Sequence, residues 1–300
     1  MGTPAAKIAT APISWGVCEV PGWGWVLDRE VVLREMSELG LRATELGPPG
    51  YLPSEPAELL ALLGDLRLVG GFVAAPLHEP ERQAETIADA DRLAGLLASA
   101  GAEVLVLAAA TGLDGYDERP ELTEAQWHTL IDTCGRIRDT AATHRLRTVL
   151  HPHVGTHVER EPEVERFVAD SDLPLCLDTG HLLIGGVDPV ELARRHPGRI
   201  GHVHLKDVRA DLVRRVRNGE ISYTGAVADG IYVPLGDGDV DLDAMLASLS
   251  EVDYRGWYVL EQDTALPVDG SGDEDRPRRD TERSLAYLHE VLRRQRRHPA

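Results

Sequence analysis

Eight compact apolar runs alternate with longer helical patterns along almost the whole chain, and this alternation is the strongest constraint on the fold. Each run ends in polar or glycine residues, as expected for buried parallel strands. The predicted strands cover residues 8–14, 43–46, 68–74, 104–108, 148–151, 175–178, 200–204 and 257–261.

Helical segments fit the gaps between these runs. Asp28 is placed to cap a helix that reaches Leu39 and stops at Gly40. Thr123 and Gln126 have capping-box spacing ahead of a helix that extends to about residue 144. Further helices are predicted from residue 54, over 81–100, from residues 188 and 241, and over 280–296. Eight strand–helix units predict a (β/α)8 TIM barrel that occupies residues 1–300 as a single domain.

A doubly wound open sheet is the alternative architecture. Such a sheet usually carries a glycine-rich phosphate-binding turn after its first strand, and residues 14–18 read Ser-Trp-Gly-Val-Cys, which lacks that pattern. Residues 267–280 are predicted to form a polar, acidic loop. Residues 209–239 are predicted to be the longest irregular insert, at a place where barrel loops often cover an active site.

Charge and cysteine content narrow the class of protein. Lys and Arg total 31, Asp and Glu total 50, and the formal net charge is −19. We therefore expect neither nucleic acid nor an anionic membrane as a partner, because phosphate binding needs a positive surface. The 3 cysteines are far apart and odd in number, which predicts a reducing, cytoplasmic location. No stretch approaches the length of about 18 apolar residues that spans a bilayer.

Candidate chemistry concentrates where the predicted strands end, which is where barrel enzymes build their sites. Seven of the 12 histidines fall between residues 151 and 204. Strand five ends at His151-Pro-His153, strand six at Asp178-Thr-Gly-His181, strand seven at His202-Val-His204-Leu-Lys206-Asp207, and strand eight at Glu261.

Asp178, His204 and Glu261 are predicted to converge on the barrel axis. Buried carboxylates repel one another unless a proton or a cation lies between them. A divalent metal ion satisfies both carboxylates, and either His151 or His153 supplies a fourth ligand, since residues two apart face the same side of a strand. Mixed nitrogen and oxygen donors suit Mn²⁺ or Co²⁺, with Zn²⁺, Fe²⁺ or Mg²⁺ as alternatives, better than Ca²⁺.

Each feature also has a simpler interpretation. A lone histidine at a strand end is often structural, and Glu261 is compatible with an ordinary strand-end carboxylate. Asp-Thr-Gly also occurs in aspartic proteases, which need a second copy on an all-β frame. The joint pattern favours a metal site, because four successive strands each end in a potential ligand.

The motifs at residues 178–181 and 202–207, together with Glu261, resemble the xylose-isomerase-like TIM-barrel superfamily of sugar isomerases, ketose epimerases and inosose dehydratases. The resemblance covers nearly the whole chain, from residues 11–15 through 45–47 to 261. Within the superfamily, residues 151–156, 178–182 and 233–238 look most like the inosose dehydratases.

This resemblance implies that Asp178, His204 and Glu261 bind the metal, with His151 where the superfamily usually has a glutamate as the fourth ligand. Epimerases of the superfamily use the strand-five and strand-eight glutamates as a proton-transfer pair. The histidine at 151 therefore favours a lyase that dehydrates a 2-keto polyol such as 2-keto-myo-inositol. A ketose 3-epimerase or sugar isomerase on the same metal is the alternative.

The dehydration requires a base with a pKa near neutral, and His153 is the first choice. Lys206, one of only two lysines, is expected to protonate the departing hydroxide or to bind a substrate oxygen, unless it simply pairs with Asp207 or another carboxylate. We expect His181 to hydrogen-bond the substrate. The resemblance to inosose dehydratases leaves open whether a thiol such as glutathione assists.

Trp15, Glu45 and His78 follow strands one to three, and the resemblance suggests that they line the polyol pocket. Their simpler interpretations are a capped barrel end, a loop carboxylate and an exposed loop histidine. Trp23 and Trp25 in the first loop suit a lid or a subunit contact, so a homo-oligomer is one alternative. Two other functions stay open: a DNA-repair endonuclease, against which the charge argues, and an inactive sugar-binding barrel.

Overall fold

The structure, a computed structural model, describes residues 6–297 except residues 19 and 21. Eight of its strands form a barrel: β1 (Lys7–Thr10), β2 (Ala43–Glu45), β3 (Arg67–Ala75), β4 (Val104–Ala109), β5 (Arg147–Leu150), β6 (Leu175–Asp178), β7 (Ile200–Leu205) and β10 (Trp257–Leu260). All neighbouring pairs are parallel, and the closed order is β1-β10-β7-β6-β5-β4-β3-β2. The predicted (β/α)8 TIM barrel in a single domain is confirmed.

Helices follow the strands along the chain. Their bounds are α1 (Arg29–Glu38), α2 (Pro56–Leu63), α3 (Gln83–Ser99), α4 (Glu124–Thr143), α5 (Glu161–Asp170), α6 (Thr179–Gly185), α7 (Pro189–Arg195), α8 (Ala210–Arg217), α9 (Tyr223–Ala228), α10 (Leu242–Glu251) and α11 (Arg276–Arg297). The predicted capping box of α4 is present, since Thr123 Oγ1 accepts from the Gln126 backbone and Gln126 Oε1 accepts from the Thr123 backbone. Across the described residues, none of these helices combines the length and the apolar character that a membrane span requires.

Two predicted boundaries are wrong for reasons that involve proline. The first strand was expected to continue to residue 14, but β1 ends at Thr10 and Pro12–Trp15 form a 3-10 helix. Pro12 has no N–H to give to a strand ladder. The loop expected over residues 267–280 ends early, because α11 begins at Arg276 with Pro277 in its first turn, a position that tolerates proline.

Alternate residues of β7 face the two sides of the barrel wall. Val203 and Leu205 belong to the apolar layer between the strands and the surrounding helices. His202 and His204 contact Glu45 on β2, a strand that does not neighbour β7. Their contact therefore crosses the barrel interior, which places a polar layer of side chains inside the closed sheet.

The insert over residues 209–239 is ordered rather than irregular, which corrects the prediction. A short antiparallel ribbon joins β8 (Asp207–Val208) to β9 (Tyr232–Val233), and α8 and α9 lie between its strands. Apolar side chains of this insert pack with Val154 and Ile184 as a second buried cluster. The elements are only two to eight residues long, so hydrophobic periodicity gives no clear signal there.

Candidate active site

Asp178 joins the end of β6 to the start of α6. Its Oδ1 accepts hydrogen bonds from the backbone N–H groups of Gly180 (2.9 Å) and His181 (2.8 Å), which caps the helix. The next residue, Thr179, exchanges hydrogen bonds with the backbone of Lys206 at 2.6 and 2.8 Å. The Asp-Thr-Gly-His motif therefore ties β6 to β7 and leaves Asp178 Oδ2 free to face the barrel axis.

Three of the four predicted ligands come together at that edge of the barrel. Asp178, His204 and Glu261 each offer one donor atom, and these atoms all lie within 4.8 Å of one another. His204 Nδ1 is 3.1 Å from Glu261 Oε2 and 3.7 Å from Asp178 Oδ2. Asp178 and His204 are buried, and the side chain of Glu261 is 8% exposed.

The protonation of His204 tests whether this cluster fits a metal ion. Its Nε2 lies 3.4 Å from Glu45 Oε1, and its buried Nδ1 faces Glu261 Oε2 and Asp178 Oδ2, so both ring nitrogens face carboxylates. Burial acts to lower the pKa of His204, but Cys176, Glu261 and Glu45 raise it well above its ordinary value, which favours a positive charge at this point. A divalent cation bound by the two carboxylates and Nδ1 would supply that charge in place of the Nδ1 proton, and the cluster can therefore bind a metal ion.

His151 lies beside this cluster. Its Nε2 is 3.3 Å from Asp178 Oδ2, and its ring centroid is 5.1 Å from that of His204. Its Nδ1 is buried without a hydrogen-bond partner. Burial lowers the pKa of His151, against the opposing effect of Asp178, so the ring is held neutral as a ligand must be. Its role as the fourth ligand stays a prediction.

His153 is held in one tautomer by its neighbour in the chain. Its Nδ1 donates a hydrogen bond to the Val154 carbonyl at 2.7 Å, which leaves Nε2 as the acceptor nitrogen. Burial, together with His151, lowers the pKa of His153 well below its ordinary value, so the imidazole is neutral and the expected near-neutral pKa is not found in the metal-free site. The ring packs on that of His181, with centroids 3.8 Å apart.

Lys206 is buried among acidic side chains. Its Nζ donates to Asp263 Oδ1 at 2.5 Å and lies 3.4 Å from Asp178 Oδ2, 3.2 Å from Glu261 Oε2 and 3.0 Å from His181 Nε2. Burial acts to lower the pKa of Lys206, but Asp178, Asp263 and Glu261 raise it well above its ordinary value. The ammonium form is therefore the stable one in this arrangement.

The simpler interpretation of Lys206 was an ion pair with Asp207 or another carboxylate, and the structure shows the second form, because Lys206 pairs with Asp263 rather than with Asp207. The Asp207 carboxylate accepts hydrogen bonds from four backbone N–H groups, those of Val208, Gly236, Gly238 and Val240. It fixes the ribbon and the end of the insert. Successive strand residues point to opposite faces, which separates Asp207 from the face that carries Lys206.

Sequence reasoning missed three residues of the site. Asp263 binds Lys206, and its Oδ2 accepts a hydrogen bond of 2.9 Å from the Tyr223 hydroxyl. The Tyr223 and Tyr232 hydroxyl oxygens lie 3.0 Å apart, and Tyr232 Oη is 3.4 Å from His181 Nδ1. Asp263 could have been found from its spacing, because it follows Glu261 by two residues. Tyr223 and Tyr232 lie in the insert, where the sequence shows no pattern that marks them as site residues.

A cavity of about 210 Å³ adjoins this hydrogen-bond network. Tyr232 and Asp263 line it, together with Gln262, Arg209 and Arg276. Because Asp263 also binds Lys206, the cavity leads to the edge of the buried cluster and offers a polar approach to it.

The three residues predicted to line the pocket have defined contacts. Trp15 is fully buried and its Nε1 donates to Glu35 at 2.8 Å. His78 is 5% exposed rather than an exposed loop residue, and its ring packs on His157 with centroids 4.3 Å apart. Glu45 is 3% exposed and faces His204 inside the barrel. Their contacts with a substrate stay predictions.

Of the two tryptophans in the first loop, Trp23 has its side chain fixed by a hydrogen bond. Its Nε1 donates to the Thr264 carbonyl at 2.8 Å. Trp25 is 46% exposed, although its backbone N–H donates to the Leu266 carbonyl. These contacts join the loop after β1 to the segment after β10.

Comparison with known proteins gives the same fold and adds relatives. The profile of the xylose isomerase-like TIM barrel family matches residues 33–291. A protein of Geobacillus kaustophilus named inosose dehydratase is 35% identical over 87% of this chain and 89% of its own length. The rhizopine catabolism protein MocC of Rhizobium meliloti is 36% identical over 85% of this chain and 81% of its own length.

A solved structure agrees with this assignment at the level of the fold. The IOLI protein, whose crystal structure has a bound zinc atom, superposes with a TM-score of 0.68 at 16% identity and covers 95% of this chain and 98% of its own. The chain is an enzyme, and it belongs to the xylose isomerase-like TIM barrel family.

Proposed function

We propose that the protein is a metal-dependent hydro-lyase that removes water from a 2-keto polyol such as 2-keto-myo-inositol. Its similarity to proteins named inosose dehydratase supports the substrate class. The observation that carries the reaction type is the fixed tautomer of His153. A neutral imidazole with a free Nε2 lies beside a buried lysine and a cluster of carboxylate and imidazole donors.

Asp178, His204 and Glu261 would hold the metal ion, with His151 as the fourth ligand. Mn²⁺ or Co²⁺ is the proposed ion, since both accept mixed nitrogen and oxygen donors. When bound, such an ion acts as a Lewis acid that stabilises negative charge developing on a ketone oxygen.

His153 removes the proton on the carbon next to the ketone. The hydrogen bond from Nδ1 to the Val154 carbonyl leaves the lone pair on Nε2, and Nε2 takes up the proton. The same bond stabilises the imidazolium that forms, because the Nδ1–H then donates from a charged ring. His153 is 8% exposed, so bulk water does not compete for this proton.

Lys206 completes the elimination. The carbon–oxygen bond of the β-hydroxyl breaks, and the departing oxygen takes a proton from Nζ and leaves as water. Asp263 and His181 hold the ammonium group in place through contacts of 2.5 and 3.0 Å. The proton that His153 gains and the proton that Lys206 loses balance, so the net loss from the substrate is one water.

The test is a mass-resolved assay of the metal-loaded protein on 2-keto-myo-inositol. We expect a product lighter by one water, and we expect His153→Gln to reduce its formation by at least about 100-fold, the usual contribution of a general base. His128→Gln is the matched control, because His128 is an exposed residue of α4. A product of unchanged mass supports the epimerase or isomerase alternative, and an unchanged substrate contradicts both.

A further inference from the structure

We infer that Glu45 and His202 form a buried positioning pair that fixes the ring of His204, so that its Nδ1 faces Asp178 and Glu261. Glu45 then acts through His204 from inside the barrel. The inference deepens the proposed function and depends on it, because it concerns a ligand of the proposed metal site.

The contacts of Glu45 cross the barrel. Its Oε1 accepts a hydrogen bond from His202 Nε2 at 2.8 Å and lies 3.4 Å from His204 Nε2. His202 and His204 are alternate residues of β7, so both rings face the interior. One carboxylate oxygen therefore contacts both imidazoles of the strand.

The backbone around Glu45 is shaped to place this carboxylate. The pairing of β2 with β3 shifts register between Thr44 and Glu45, and such bulges change the direction in which a side chain points. Gly70 on β3 leaves room for it, since a Cβ at Gly70 would lie 3.2 Å from Glu45 Oε1 and 3.0 Å from the Val104 carbonyl oxygen. Two local features of the sheet thus serve one buried side chain.

Because Glu45 is buried, its carboxylate depends on the hydrogen bonds from the two histidines. Glu45 is 3% exposed, His204 is 2% exposed and His202 is fully buried. An ionised carboxylate in such surroundings requires hydrogen-bond donors, and within the described part of the chain the two Nε2–H groups supply them. Both rings then donate from Nε2 to this carboxylate, and the ring of His204 is held with its Nδ1 3.1 Å from Glu261 Oε2.

A histidine that binds a metal usually donates its second ring N–H to a carboxylate or a carbonyl, which fixes both the tautomer and the ring orientation. Loss of such a partner typically lowers metal affinity by about 10- to 100-fold. In this chain the carboxylate comes from a strand on the other side of the barrel, and His202 holds it from the preceding inward position of β7.

The experiment measures Co²⁺ binding by titration calorimetry and by the visible absorption of the bound ion. Glu45→Gln keeps the size of the side chain but allows its amide to donate to His204 Nε2, which releases the tautomer. His202→Asn removes the second contact of the carboxylate. Glu58→Gln is the matched control, because it makes the same chemical change at an exposed position of α2.

We expect Glu45→Gln to weaken Co²⁺ binding by about 10-fold or more and to alter the absorption band, with a smaller loss in His202→Asn and none in Glu58→Gln. A circular-dichroism melt of each metal-free variant checks that the barrel is folded. If Glu45→Gln does not fold, His202→Asn decides the question by the same two readouts.

Unchanged affinity and an unchanged spectrum in the folded variants would overturn the inference while leaving the proposed function standing. Absence of Co²⁺ and Mn²⁺ binding by the unaltered protein would overturn both. Metal binding without dehydration would count against the proposed function alone, since the positioning of His204 is measured on the bound ion.

Discussion

The Lys206 ammonium group lies 2.5 Å from Asp263 Oδ1 and 3.2 Å from Glu261 Oε2, so one buried cation joins the candidate metal ligands to the rest of the site. The lysine stands just past the end of β7, and both carboxylates follow β10. Because Asp178 Oδ2 is also 3.4 Å from Nζ, the charge of Lys206 offsets three carboxylates that would otherwise repel one another.

Lys206→Met is therefore expected to abolish dehydration and to destabilise the protein. Removing one partner of a buried charge pair typically costs about 3–5 kcal/mol, because the other charge is left uncompensated. Chemical denaturation of the metal-free protein measures this loss. Lys7→Met is the matched control, since Lys7 is the other lysine of the chain and its side chain is 44% exposed.

The double variant Lys206→Met with Asp263→Asn separates the two effects. Neutralising Asp263 removes part of the unpaired charge, so we expect stability to recover relative to Lys206→Met while activity stays absent. Equal stability of the single and double variants would contradict the assigned pairing.

Gly180→Ala is expected to destabilise the protein by roughly 1–3 kcal/mol, as overpacking of a core does. A Cβ at Gly180 would lie 2.8 Å from Lys206 Cβ and 2.9 Å from Tyr232 Cε1, so the methyl group would displace both. Gly135→Ala is the control: Gly135 lies within α4, where a Cβ would have no atom within 4 Å.

The control variant Gly135→Ala is expected to change stability in the opposite direction. An alanine in place of a helical glycine raises stability by roughly 0.5–1 kcal/mol, because it reduces the freedom of the unfolded chain. Thermal melts of the two variants should move in opposite directions. A Gly180→Ala variant as stable as the unaltered protein would show that the close packing around α6 is not as described.

His157 makes stability depend on pH. Burial, with smaller effects of His78 and Arg119 and against the effect of Glu163, lowers the pKa of His157 from 6.5 to about 4. Between these values the unfolded chain binds the proton that the folded chain does not. This contribution to stability is complete above pH 6.5 and is lost as the pH falls towards 4.

We expect His157→Gln to reduce the loss of stability between pH 7 and pH 4 by roughly 2 kcal/mol, after allowance for solvent screening. The measurement is the free energy of unfolding in urea at several pH values, and the slope rather than the absolute value is compared. His128→Gln, at an exposed position, should leave the slope unchanged. If the free energy of unfolding of His157→Gln falls with pH as steeply as that of the unaltered protein, the ring of His157 is not held neutral by burial.

The proximity of Asp178, His204 and Glu261 follows from the sequence alone. Each residue lies at the end of a predicted strand, and parallel strands in a closed barrel bring their carboxyl ends to one edge. The fold follows from the same signal, because eight apolar runs separated by helical patterns leave few alternative topologies.

The contacts of Glu45 and Lys206 could not be read from the sequence. Glu45 reaches His202 only because the register shifts at the end of β2 and the barrel closes, and neither is visible in a local pattern. Lys206 has Asp207 as its neighbour in the chain but Asp263 as its partner in space. To choose between Asp207 and Asp263 as the partner of Lys206, one must know on which face of the sheet each side chain lies.

Metal stoichiometry of the purified protein tests the central claim most directly. The account predicts one Mn²⁺ or Co²⁺ per chain by equilibrium dialysis and elemental analysis. It also predicts that Asp178→Asn lowers affinity by more than the roughly 10- to 100-fold that loss of an outer-shell partner costs, because a ligand oxygen itself is lost. The asparagine carbonyl can still cap α6 through Gly180 and His181, and Asp65→Asn, at an exposed position, is the control. Equal metal binding by Asp178→Asn and the unaltered protein, or no binding by either, would contradict the account.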